Sequence, residues 1–190
     1  MFIQTEQTPN PEVLKFLPGR EVMGEGSREF RSAEEAAASP LAEALFAIDG
    51  VKRAFFGPDF VTVSKAPDSD WGHVKAPVLA AIMDHYTSGA PLLKDEGGAA
   101  SHDDTESYEG ETAQIVAEIK DLLDTRIRPA VAQDGGDILF NRFDAATGVV
   151  FLHMKGACSG CPSSSATLKA GVENMLKHYV PEVTGVEQTL

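Results

Sequence analysis

Residues 149–162 read VVFLHMKGACSGCP, and this stretch decides how the rest of the chain is read. Val149 to Lys155 has the make-up of a strand. Gly156-Ala157-Cys158-Ser159-Gly160-Cys161-Pro162 is a tight loop, and Pro162 suits the first position of a helix, where its missing N–H costs nothing. That helix is expected to run to about Tyr179, with Leu168, Val172, Met175, Leu176 and Tyr179 turned inward. Cys161 would then be the N-cap, with Cys158 just ahead of it. Free backbone N–H groups and the positive helix end favour thiolate at both cysteines. Gly156 and Gly160 let the backbone fold closely around the sulfurs, and Ser163, Ser164 and Ser165 add small polar groups in the first turn. Two soft, ionised sulfur ligands select zinc, cuprous copper or an iron–sulfur cluster.

Working outward, Ile138 to Phe143 pairs with the strand at Val149 through a hairpin at Ala145 to Gly148. A helix from about Thr112 carries the stripe Ile115, Ile119, Leu122, Leu123 and Ile127. Arg128-Pro129 interrupts or bends it. Asp134-Gly135-Gly136-Asp137 ends it as a Gly-Gly turn of left-handed geometry, whose hard carboxylates suit a sulfur-ligated metal poorly. Val183 to Thr189 is a final strand. The pattern helix, two strands, helix, strand is a small α+β layer with helices on one face of a mostly antiparallel sheet.

The N-terminal part also mixes strand and helix signals. Phe2 to Thr8 and Val13 to Leu17 read as strands around the turn Pro9-Asn10-Pro11. Ser39-Pro40 starts a short helix through Ile48. Val51 to Phe56 and Phe60 to Ser64 form a hairpin about Gly57-Pro58, and a helix from about Trp71 to Tyr86 carries Val74, Val78, Ile82 and Tyr86 four apart on one face. His73 and His85 lie too far apart along that helix to share a metal, and both read as surface or boundary residues. Between these parts, residues 88–111 hold one Lys against seven acidic side chains and no apolar period, the composition of a flexible linker. The fold class is therefore α+β: two small α+β domains, 1–87 and 112–190, joined by a flexible acidic linker, 88–111.

Of the 190 residues, 43% are apolar, and the net charge is -13. An acidic surface repels phosphate backbones, so nucleic acid is not an expected partner. No apolar run approaches the ~20 residues of a membrane span. The first ten residues carry no secretory signal and no Arg-rich transit segment. Two cysteines are too few for a disulfide framework.

Two ligands do not finish an iron–sulfur or structural zinc site, which usually takes four. His153 is a weak third candidate, because it lies in a strand whose side chains alternate faces. His178 sits near the far end of a long helix. Symmetry is the simpler completion: two chains would each supply Cys158 and Cys161. A thioredoxin-like redox pair remains open, since strand, CxxC and helix follow in that order, although a helix and a hairpin precede the motif. Inter-subunit zinc remains open as well.

Leu123-Asp124, Arg128-Pro129, Asp134-Gly135-Gly136-Asp137, the run Met154 to Ser164 and Thr167-Leu168-Lys169-Ala170-Gly171 together resemble the NifU-like C-terminal domain. Gln4-Thr5-Glu6, Thr8-Pro9-Asn10-Pro11 and Leu14 to Gly19 resemble the N-terminal domain of Nfu-type proteins. The resemblance implies an iron–sulfur cluster scaffold or carrier with no turnover of its own. It implies a 4Fe–4S cluster held between the CxxC pairs of a homodimer, here Cys158 and Cys161. Apo iron–sulfur clients and upstream assembly factors would be its partners. A chain starting at the domain resembles a bacterial cytoplasmic member or, alternatively, a mature mitochondrial matrix form.

Overall fold

The computed structural model describes residues 2–94, 108–158 and 162–189, excluding the side chains of residues 162–165. The chain divides into two compact units, Met1–Ser101 and His102–Leu190. The class is α+β in both.

In the first unit, β1 (Gln4–Gln7), β2 (Val13–Leu17), β3 (Arg28–Phe30), β4 (Val51–Phe56) and β5 (Val61–Lys65) make one sheet in the order β1-β2-β5-β4-β3. All neighbouring pairs are antiparallel. Short α1 (Ala33–Ala36) precedes α2 (Pro40–Phe46), and α3 (Trp71–Ser88) closes the core. Ser39 caps α2 by accepting from the Ala42 N–H, and Asp70 caps α3 by accepting from the Gly72 N–H. Phe16, Phe30, Phe56, Leu41, Leu45 and Ile82 are fully buried there. His73 is exposed, as expected. His85 is buried, with its ring edge on Tyr86 at 5.3 Å, and burial lowers its pKa. It is a packing group rather than a surface residue.

The second unit opens with α4 (Gly110–Leu122), a π-helical turn at Leu123–Ile127 and α5 (Arg128–Gln133). In the wide turn the Arg128 N–H reaches back to the Leu123 carbonyl. It falls where a regular α-helix would drive the Pro129 ring into the carbonyl of Thr125. The helix thus passes Pro129 by widening. Next come β6 (Gly136–Asp144), β7 (Val149–Gly156), α6 (Pro162–Tyr179) and β8 (Gly185–Thr189). The sheet order is β6-β7-β8, with β6 antiparallel and β8 parallel to the central β7. A register shift between Phe140 and Arg142 lets Phe140 and Phe143, an odd number apart, both reach the core.

Ile119, Leu123, Ile138, Leu152, Val172 and Leu176 form the centre of the second core. Two expected core positions do not belong to it. Met175 is 36% and Tyr179 42% exposed. The stripe that meets the core is Leu168, Val172, Leu176 and, just past the helix, Val180, each four residues on. Tyr179 lies off that line, where Arg126 stacks on its ring at 5.0 Å and donates to its hydroxyl at 3.3 Å.

Several residues expected in the linker are part of the units. Leu92 and Leu93 pack on the first core, and the Lys94 backbone N–H donates to Ala38 O while its ammonium meets Glu43 at 2.6 Å. Tyr108 packs on the second core, and its hydroxyl accepts from the Phe143 N–H at 2.8 Å. The rest of that segment, 95–107, lies outside the described residues.

Candidate metal centre at the end of the central strand

Cys158 follows β7 by two residues and enters the second core, where it is only 6% exposed. The sulfur occupies a niche made by the absence of a side chain. A Cβ on Gly136 would stand 2.7 Å from Cys158 Sγ and 2.7 Å from the Lys155 carbonyl oxygen. Gly136 pairs with Gly156 across β6 and β7, and the Ala157 N–H donates to Gly135 O at 3.2 Å. The Asp-Gly-Gly-Asp segment is therefore the floor beneath the cysteine loop. Its two glycines have different tasks. Gly135 has φ +81° and makes the left-handed turn, whereas Gly136 gives room for the sulfur.

Asp137 is buried beside this floor. Its Oδ1 accepts from Arg128 Nε at 2.9 Å and from the Ile138 N–H at 2.8 Å, while Oδ2 accepts from Arg128 Nη2 at 3.0 Å. Arg128 Nη1 also donates to Asp124 Oδ1 at 2.9 Å, and the bond to Asp137 holds the guanidinium pKa above its ordinary value. This fork is the strong form of an ion pair. It engages both Asp137 oxygens and leaves Cys158 as the soft donor of the site.

The electrostatics of Cys158 run against the expected thiolate. Burial, and then the charges of Asp134 and Asp137, push its thiol up to about 12. At neutral pH the sulfur in this niche is a thiol, and binding a metal would release that proton. The helix-end argument fails for Cys158 because its sulfur packs down on Gly136.

The other candidates are distributed as follows. α6 begins at Pro162, as the sequence implied, but Ser159, Gly160 and Cys161 lie outside the described residues, and so does the N-cap role expected of Cys161. His153 sits on β7 between the buried Leu152 and Met154, which puts its side chain on the opposite sheet face from the core that holds Cys158. His178 is exposed in the last turn of α6, edge-on to Tyr179. Among the described residues, no group of three or more His, Cys, Asp and Glu side chains is placed to hold a metal ion. Arg128 carries a role that the sequence reading did not assign. Its signal was present in the spacing of Asp124 and Arg128 by four residues on a helix.

Residues 3–89 match the family described as "Scaffold protein Nfu/NifU N terminal", and residues 119–187 match the "NifU-like domain". "NifU-like protein 4, mitochondrial" of Arabidopsis thaliana is 56% identical over 99% of this chain and 66% of its own length. "NifU-like protein 5, mitochondrial" of the same plant is 56% identical over 99% of this chain and 68% of its own length. "NFU1 iron-sulfur cluster scaffold homolog, mitochondrial" of Drosophila willistoni is 54% identical over 99% of this chain and 63% of its own length. The chain thus spans about two thirds of the length of the curated relatives it matches.

Proposed function

This chain belongs to the Nfu/NifU scaffold-protein family, and from that premise we propose that it is an iron–sulfur cluster scaffold. Two copies related by a two-fold axis hold one 4Fe–4S cluster through Cys158 and Cys161 of each, and pass it to apo-proteins. The cluster is cargo, and the chain itself catalyses no turnover.

The observation that carries this reading is the donor chemistry at the end of β7. Cys158 offers a soft sulfur, and the nearby Asp137 carboxylate is fully committed to Arg128 and the Ile138 N–H. A thiolate set selects iron–sulfur clusters or zinc over hard cations. The dithiol redox reading fits less well. An attacking thiol is partly exposed and acidic, whereas Cys158 is buried and its thiol is pushed up to about 12.

With two ligands from each chain, the cargo can leave through an opening interface while both folds persist. Each client thiol that enters gives up a proton, and each cysteine that leaves takes one back, so the exchange needs no electron. The first unit has a core and no chemical motif, and its role is to dock clients or assembly factors. Of the two expected compartments, the mitochondrial names of the relatives favour the matrix form; either one keeps thiols reduced.

Anaerobic reconstitution with ferrous iron and sulfide tests the reading. The expected product is brown, with about four irons per two chains. Cys158→Ser and Cys161→Ser should each abolish the cluster absorbance while far-UV circular dichroism is retained. In a parallel incubation with zinc, a colourless product that holds one zinc per dimer, together with no cluster from iron and sulfide, would make the site a zinc site. A full-intensity cluster in either single variant would end the four-thiolate arrangement.

A further inference from the structure

We infer that Arg128 and Asp137 are positioning residues for Cys158: their two-pronged pair pins the start of β6, and thereby fixes the Gly136 niche from which the sulfur is presented. The inference rests on the reading of Cys158 as a cluster ligand and deepens it.

The connection can be followed bond by bond. Asp124 in the π-helical turn accepts from Arg128 Nη1 and sets the plane of the guanidinium. Arg128 then grips both oxygens of Asp137. Asp137 is the residue next to Gly136, and its Oδ1 also takes the Ile138 N–H, so the backbone on its C-terminal side is held too. Gly135, one step further back, receives the Ala157 N–H, and Gly136 faces Cys158 Sγ. No slack separates the fork from the sulfur: two consecutive residues of β6 join them.

The ion pair is an unusual choice if stability were its whole purpose. Asp137 is only 6% exposed while the Arg128 side chain is 30% exposed, and an ion pair with one partner buried often contributes no more than apolar residues of the same size. It supplies direction instead. A guanidinium fork fixes a carboxylate in both distance and plane, which Lys or an apolar contact does not. Groups that orient the ligands of a metal site act in this way, and their loss typically costs roughly 10–100-fold in affinity or activity.

The test follows the sulfur directly, without a cluster. In a Cys161→Ser background Cys158 is the only thiol of the chain. Its alkylation by iodoacetamide at neutral pH is compared with that in added Arg128→Lys, Asp137→Asn and Asp124→Asn variants. Val186→Ala is the control: it truncates a buried residue of the same core on β8 and reports the effect of lost stability alone. At equal distance below each melting temperature, Arg128→Lys and Asp137→Asn should raise the alkylation rate by about tenfold, because local opening of the niche around Cys158 becomes more populated. Asp124→Asn, whose side chain is exposed, keeps the fork intact and should give a smaller change in the same direction. With both cysteines present, Arg128→Lys should also release its cluster to a chelator faster than the unaltered chain. If the three variants match Val186→Ala, the pair merely stabilises the fold and the inference is overturned. If their rates shift as expected while Cys158→Ser still holds a full cluster, the positioning stands and the ligand reading fails.

Discussion

Gly136 sits where a methyl group has no room. Its φ is not in the left-handed region, so backbone conformation alone would admit alanine. What excludes it is the Cys158 sulfur and the Lys155 carbonyl, each 2.7 Å from the place of the missing Cβ. The sulfur can swing away, whereas the carbonyl belongs to the paired strand and yields only if the backbone of β6 or β7 shifts as well. Gly136→Ala should therefore expel Cys158 from its niche and cost about 1–3 kcal/mol, as over-packing commonly does. Urea unfolding measures the cost, and alkylation of Cys158 reports the expulsion. An unchanged alkylation rate would mean that β6 yields instead. Sequence reading correctly gave the Gly-Gly pair a turn, and Gly135 makes it. The reason for Gly136 is a contact with a residue 22 positions later, which no local pattern contains. The same limit explains Cys158: the approach to a helix start was visible, but the depth of its burial was set by a neighbouring strand.

At the scale of elements, the boundaries marked by capping chemistry were legible. Ser39-Pro40 gave the start of α2, and the structure adds that Ser39 is itself fully buried. Its Oγ accepts from the Ala42 N–H at 3.2 Å, in a place that water does not reach. Ser39→Ala leaves that donor unpaired and should destabilise the first unit by about 1–2 kcal/mol, the upper half of the range for lost caps. Thermal unfolding of Ser39→Ala beside Ser32→Ala, the cap of α1 at an exposed position, tests this. The buried site should show the larger loss. Very short elements were less legible, even where a cap is present, as Ser32 is for α1. β3 has three residues and α1 four, too short to show a period. The π-helical turn leaves the apolar stripe intact and was read only as an interruption at Arg128-Pro129. The direction of β8 depends on the crossover through α6, and so the parallel pair with β7 did not show in its alternation.

For the whole molecule, the two cores decide what can be separated. Among the described residues, the first gathers buried side chains between Leu14 and Ile82, and the second between Val116 and Val186. Cys158, Gly136, Asp137 and Arg128 all belong to His102–Leu190. A chain starting at His102 retains its whole sheet, α4 to α6, and Tyr108 with its bond to the Phe143 N–H. It should fold, dimerise on reconstitution and hold a cluster with the same absorbance per chain as the full protein. The first unit matches its own family segment over residues 3–89. If it docks clients, its removal should leave cluster assembly unchanged and slow delivery to some apo-proteins and not others. The decisive comparison is the transfer rate from the full and shortened chains to several apo-proteins, at equal cluster concentration. Rates that fall together for every recipient would point to a general defect in release. Equal rates for every recipient would remove the docking role. A loss confined to particular recipients is the outcome that assigns partner choice to the first unit and cluster chemistry to the second.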